Sequence, residues 1–148
     1  MTKEILVSIT GSHLMEGETE DISVITAGSY YFKNGKHYIV YDEHLDDGNG
    51  SIRNTIKVGP DTVEMIKGGD ARTHMVFERH KTNLTCYATP YGQMMIGVTT
   101  NRIEMVELPD ELRVHIDYSM EVNYEKTSDC HVEIEVSSKA AAKLRLQE

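Results

Sequence analysis

Leu112-Arg113-Val114-His115-Ile116-Asp117-Tyr118-Ser119-Met120-Glu121-Val122-Asn123-Tyr124-Glu125 carries an apolar or aromatic side chain at every even position and a polar one at every odd position. Successive side chains of a strand point to opposite faces, whereas a helix repeats every 3.6 residues, so a long strand with one buried face accounts for this run. After an expected loop at Lys126 to Asp129 the pattern returns, with Val132, Ile134 and Val136 set against Glu133, Glu135 and Ser137. Ile5, Val7 and Ile9 show it near the other end of the chain. Strands of this kind pair into an antiparallel sheet that is wet on one side.

The turns between the runs fix how neighbours pair. Asn34-Gly35 between two aromatic-rich segments is the signal for a two-residue type I′ turn. It sets Lys33 opposite Lys36, Phe32 opposite His37, Tyr30 opposite Ile39 and Gly28 opposite Tyr41. Ile22, Val24, Gly28, Tyr30, Phe32, Ile39 and Tyr41 then share one face. Lys81-Thr82, treated the same way, places Arg79 against Leu84, Phe77 against Cys86 and Met75 against Ala88. Pro109-Asp110 gives a third hairpin, with Met105 on Val114, Ile103 on Ile116 and Arg102 on Asp117 outside. Upstream of it Met94, Ile96 and Val98 are apolar on even positions but Ile103 and Met105 on odd ones, which a β-bulge near Asn101 repairs.

Shorter strands are expected around Ile52 to Val58 and Val63 to Ile66, and a short helical tail over Lys139 to Gln147, marginal unless it docks. The runs count to eight to ten strands joined mostly by short hairpins. A meander of that length must hide its edges, which a closed barrel or a sandwich would do, and consecutive hairpins without a long Greek-key crossover favour the barrel. The expected fold is therefore all-β: a single antiparallel up-and-down β-barrel domain over residues 1–148 with a short C-terminal helical tail.

Composition restricts the partners. A chain of 148 residues is long enough for one proper core. Acidic side chains outnumber basic ones 24 to 15, for a formal charge of −9, so no nucleic acid and no anionic membrane surface is expected as a partner. The segment Met1 to Ile9 is interrupted by polar residues too soon for a signal sequence or a span, which places the protein in the cytoplasm as an expectation. Cys86 and Cys130, with no CxxC, read as two reduced thiols, Cys86 as a small core residue opposite Phe77.

Gly17-Glu18-Thr19-Glu20-Asp21-Ile22, continued by Gly28-Ser29-Tyr30-Tyr31-Phe32-Lys33-Asn34-Gly35-Lys36-His37-Tyr38-Ile39-Val40-Tyr41-Asp42-Glu43, resembles the YwiB-like family of small bacterial proteins. The stretch from Gly92 through Ile96-Gly97-Val98 to Ile116-Asp117-Tyr118 is similar to the same family, so the likeness covers nearly the whole chain. It implies a lipocalin-like (calycin) β-barrel in a cytoplasmic bacterial setting and supplies no catalytic residue.

Few constellations carry chemistry. His13, His37, His44, His74, His80, His115 and His131 contain no HxH or HExxH and read as scattered surface histidines, so no metal and no cofactor is expected. Asp42 to Gly50 lacks the ligand ladder of an EF-hand and reads as a solvated loop; Glu16, Glu18, Glu20 and Asp21 read as a polar turn before the second strand. No GxSxG elbow or Cys-His pairing offers a nucleophile, so no catalytic residue is assigned. One set remains: Tyr30, Phe32, His37 and Tyr41 on the shared face, with Arg79 from another hairpin, could orient a guest inside the barrel. The leading expectation is a binding module, monomer or homodimer, for a small apolar or amphipathic molecule. The alternatives are an enzyme using His37 with Tyr30 or Tyr41 as acid and base, and an interaction or oligomerising protein acting through its outer surface.

The Asn34-Gly35 turn is directly testable. Gly35→Val should destabilise by about 1 kcal/mol or more, because a β-branched residue resists positive φ. An unchanged melting temperature would remove the support for the register that Asn34-Gly35 sets.

Overall fold

A computed structural model describes residues 3–15, 18–44, 50–69 and 72–139. Ten strands occur among them: β1 (Glu4–Met15), β2 (Glu18–Lys33), β3 (Lys36–His44), β4 (Ser51–Val58), β5 (Thr62–Lys67), β6 (Thr73–Glu78), β7 (Thr82–Thr89), β8 (Gly92–Leu108), β9 (Glu111–Val122) and β10 (Glu125–Ser138). They form one antiparallel sheet in the order β6-β5-β4-β3-β2-β1-β10-β9-β8-β7. The sheet curls until β6 lies against β7 and β8, a nearly closed up-and-down barrel. Among the described residues no helix is long and apolar enough to cross a membrane. The helix expected over Lys139 to Gln147 lies outside the described residues except for Lys139.

The alternating runs fill the barrel. Ile5 and Val7 of β1, Ile39 of β3, Ile56 and Val58 of β4, Leu112, Val114 and Ile116 of β9, and Ile134 and Val136 of β10 are all buried, with Phe77 of β6 packed edge-on to Tyr118 across the interior. The registers follow the turn chemistry. Tyr30 pairs with Ile39, Phe32 with His37 and Lys33 with Lys36 around Asn34 (φ 53) and Gly35 (φ 75), as a type I′ turn requires. Met105 faces Val114, Ile103 faces Ile116 and Arg102 faces Asp117, and the register shifts between Thr100 and Arg102, where Asn101 is the extra residue.

Other expectations change. β6 and β7 form no hairpin ladder: they are the two edges of the sheet, the turn falls at Arg79-His80 with His80 at φ 59, and Phe77 does not pair with Cys86. Cys86 pairs with Met95 and points outward, exposed, because closure puts Asn83 and Thr85 on the inner parity of β7 instead. The chain turns at Asn123-Tyr124, both at positive φ, rather than at Lys126 to Asp129. Those residues belong to β10, and a bulge between Lys126 and Ser128 explains why their alternation lapses. The acidic segment is no turn from Glu18 onward but the start of β2, paired with β1 from Met15↔Glu18. Asp42 to His44 likewise extend β3, while residues 45–49 lie outside the described set.

Two features set where a site can form. Beyond Thr99 the edge of β8 has no β7 partner, and the β6–β7 turn covers it: the His80 amide donates to the Thr100 carbonyl (2.9 Å), and the Thr100 amide donates to the Lys81 carbonyl (3.1 Å). At the other side β2 and β3 part company, because their pairing stops at Ser29↔Val40 and does not reach the expected Gly28↔Tyr41. Gly28 stands at the fork. A Cβ there would lie 2.7 Å from the Val40 carbonyl oxygen and 3.2 Å from Val7 Cγ2.

Gly28→Ala should therefore lower stability by about 1–3 kcal/mol, since backbone must shift to admit the methyl group. Chemical denaturation measures it; a variant as stable as the parent would mean that β2 and β3 do not approach this closely.

Candidate functional site

Inward parity tells which side chains face the lumen, and position along each strand tells at which end. His37 and Tyr41 share the inner face of β3 but stand four residues apart, about 13 Å along the strand at about 3.3 Å per residue. They consequently belong to different ends of the barrel.

At the end formed by the Asn34-Gly35 and Pro109-Asp110 turns, Tyr30 Oη lies 2.7 Å from His37 Nδ1, and His37 Nε2 lies 3.0 Å from Glu107 Oε1. A carboxylate only accepts, so Nε2 carries the proton; in the neutral imidazole Nδ1 is then the acceptor and the Tyr30 hydroxyl donates to it. The result is a directed chain from phenol to imidazole to carboxylate, joining β2, β3 and β8 across the lumen. His37 is largely buried at 14% side-chain exposure, while Glu107 is wet at 59%. A cleft of about 350 Å³ opens here, lined also by Leu108, Pro109, Glu111 and Leu112. Burial, with the nearby Glu107 charge, raises the Tyr30 pKa above its ordinary value. The phenol is thus a hydrogen-bond donor at neutral pH and a poor nucleophile. Phe32 sets its ring edge-on to His37 at 5.1 Å but is 60% exposed, outside the lumen's cover.

At the opposite end, where β2 and β3 diverge, two adjoining recesses of about 280 and 140 Å³ share Tyr41, Asn54 and Lys67. Val24 lines the larger, and Ile56, Met65 and Met75 the smaller. Asn54 is buried, and Lys67 Nζ pairs with Glu43 Oε2 at 3.0 Å. Burial, then the Glu43 charge, raises the Tyr41 pKa. Ile22 and Val24, on the inner parity of β2, remain 47% and 37% exposed because no β3 residue covers them.

The five residues singled out from sequence are therefore divided. Tyr30, Phe32 and His37 meet at one end, Tyr41 lies at the other, and Arg79 is at neither: its Nε and Nη2 donate to the Ile103 carbonyl at 3.2 and 2.5 Å, on the uncovered edge of β8. Glu107, Asn54 and Lys67 were missed. Each was legible as a polar residue on an inward parity, after Ile103 and Met105, between Ile52 and Ile56, and after Val63 and Met65. Nor are all the histidines scattered: His115 and His131 bring their ring centroids to 4.3 Å on the outer face.

Comparison with known proteins agrees with this architecture. Residues 7–134 match the family described as a domain of unknown function, DUF1934. The uncharacterized β-barrel protein YwiB of Bacillus subtilis (strain 168) is 26% identical over 111 residues, which cover 75% of this chain and 77% of that protein. A crystal structure of the ywiB protein from Bacillus subtilis superimposes with a TM-score of 0.79 at 22% identity, covering 92% of both chains.

The two phenols make a measurable pair. Because their folded pKa values are raised, the stability they contribute is complete below pH of about 10, where unfolded tyrosine is still protonated, and is lost as pH rises through the folded values. Ultraviolet titration should show a late-ionising class of tyrosines that shrinks in Tyr30→Phe and again in Tyr41→Phe. A late class undiminished by both substitutions would show these phenols to be ordinary.

Proposed function

Since the chain belongs to the DUF1934 family, which carries no assigned activity, we propose from the geometry that it is a binding module for a small amphipathic molecule, held at the end of the barrel where β2 and β3 diverge. One observation carries this reading. The lumen is filled at mid-height by residues such as Ile39, Ile56, Phe77 and Ile116, yet at this end it opens into recesses that set Met65, Met75, Ile56 and Val24 beside Tyr41, Asn54 and Lys67. An apolar floor with a few converging polar groups is the usual make-up of a small-molecule site. Methionine adds a surface that adapts to the guest's shape.

Size narrows the guest. Recesses of about 280 and 140 Å³ fall at or below the roughly 300–1,000 Å³ of typical ligand pockets, so a short chain or single ring fits and haem does not. The Lys67–Glu43 pair offers a cation to an acidic head group or a carboxylate to a basic one. A cytoplasmic location suits a ligand drawn from metabolism and is part of the same proposal.

A second reading has its own observation. The Tyr30–His37–Glu107 chain puts a phenol and an imidazole within hydrogen-bond reach beside an open cleft, as acid–base chemistry requires. The raised Tyr30 pKa fits a structural or orienting donor better than a proton-transfer group, which places this reading second.

Thermal-shift measurements with octanoate, octylamine and octanol test the proposal and sort the head group. At least one should raise the melting temperature in a saturable way, and Tyr41→Phe with Lys67→Met should weaken that compound about fivefold or more, as expected when an orienting hydrogen bond of about 1 kcal/mol is lost. His37→Leu, at the far end, should leave it unchanged. Binding that follows His37→Leu instead would move the site to the Tyr30 cleft, and no shift with any of the three would overturn the binding reading.

A further inference from the structure

The outward rows of β9 and β10 carry a His-x-Asp and a His-x-Glu in register. His115 is directly across from Glu133, and Asp117 across from His131. The four side chains close into a square on the sheet surface with a definite division of labour. Asp117 Oδ1 stands 2.8 Å from His131 Nδ1 and 3.2 Å from His115 Nε2. Glu133 Oε1 stands 3.2 Å from His115 Nδ1 and 3.7 Å from His131 Nε2.

Proton bookkeeping shows what is missing. A neutral imidazole has one N–H, and a carboxylate can only accept. If His131 Nδ1 and His115 Nε2 donate to Asp117, the other ring nitrogens, His131 Nε2 and His115 Nδ1, turn bare lone pairs toward the Glu133 carboxylate. Three acceptors then converge with no proton among them. That is the arrangement a cation resolves, and a carboxylate holding the far nitrogen of each ligating histidine is how metal sites fix tautomer and ring orientation.

We infer that His115 Nδ1, His131 Nε2 and Glu133 Oε1 form a site for one divalent transition-metal cation of the zinc class, with Asp117 as the carboxylate that positions both imidazoles. Geometry and charge are consistent with this. One ligand atom from each of His115, His131 and Glu133 lies within 4.8 Å of the others. Ligands of a tetrahedral zinc with bonds of about 2.1 Å stand about 3.4 Å apart, a value that the two contacts of Glu133, at 3.2 and 3.7 Å, bracket. The two nitrogens and one oxygen suit zinc, cobalt or nickel and are too few oxygens for calcium. Asp117 Oδ1 contacts a ring nitrogen of each histidine and so ties the two imidazoles to one point on the sheet surface. Arg102, across from Asp117 on β8, has its guanidinium engaged by Glu104, which limits its repulsion of a cation. The cluster lies on the outer face, with the His131 and Glu133 side chains 41% and 48% exposed.

Titration calorimetry of the full chain, stripped of metal and carrying Cys86→Ser to remove the exposed thiol, tests the site with zinc chloride. One equivalent should bind, with affinity reduced at least tenfold in Glu133→Gln and in the pair His115→Gln with His131→Gln, and roughly 10–100-fold in Asp117→Asn, as expected of an outer carboxylate. Cobalt should give the visible absorption of a tetrahedral site in the parent and lose it in Glu133→Gln. If the histidine variants fail to fold, the imidazole ¹⁵N resonances of the otherwise unaltered chain decide: zinc should shift those of His115 and His131 together. Absence of saturable binding, binding undiminished by Glu133→Gln, or zinc shifts confined to other histidines would overturn the inference.

Discussion

Closure of the sheet at its two edges governs everything else in this molecule. An antiparallel sheet of ten strands has one row of unpaired amides and carbonyls at each edge, and such rows recruit other strands unless they are covered. Here β6, of 6 residues, and β7, of 8, are much shorter than the 17-residue β8, and no ladder joins β6 to either of them. The gap is bridged instead by single contacts. The His80 amide and Arg79 guanidinium donate to carbonyls of Thr100 and Ile103, and the Thr85 hydroxyl donates to the His74 carbonyl. The Asn101 bulge allows this, because it carries β8 past its partner while restoring the inward facing of Ile103 and Met105.

Once the sheet has curled, its two ends acquire different chemistry. At mid-height branched aliphatic side chains and the Phe77–Tyr118 pair occupy the lumen. Towards the Asn34-Gly35 end the inward positions become polar, and Tyr30, His37 and Glu107 satisfy one another across the opening. Towards the other end β2 leaves β3 at Gly28, where any side chain would strike the Val40 carbonyl, and the wall opens beside Tyr41 and Lys67. One end is thus bridged by a hydrogen-bond chain, and the other offers an apolar floor with free volume.

The outer face follows from the same alternation. A period of two that buries Val114, Ile116 and Tyr118 necessarily exposes His115 and Asp117 in a row, and the β9–β10 register lays His131 and Glu133 alongside. Registers fixed for the sake of the core therefore place charged pairs on the surface, within contact distance of each other.

Legibility in the sequence divides along a physical line. Alternation from Leu112 to Val122 determined strand, face and antiparallel class by itself, because side-chain direction in a strand is a local property. Asn34-Gly35, Pro109-Asp110 and the parity slip at Asn101 were equally local, and the registers they set hold except that β2 and β3 part before Gly28 meets Tyr41. The Lys81-Thr82 hairpin did not, because whether neighbouring strands pair or become opposite edges depends on where the whole sheet closes. The same limit explains the site. Parity grouped Tyr30, Phe32, His37 and Tyr41 on one face, but a two-residue period carries no information about height, so the division between two ends appeared only in the folded barrel. His115 and His131, sixteen positions apart, met for a corresponding reason: the Asn123-Tyr124 turn and the bulge beside Lys126 together set the β9–β10 register, and only that register brings their rings together.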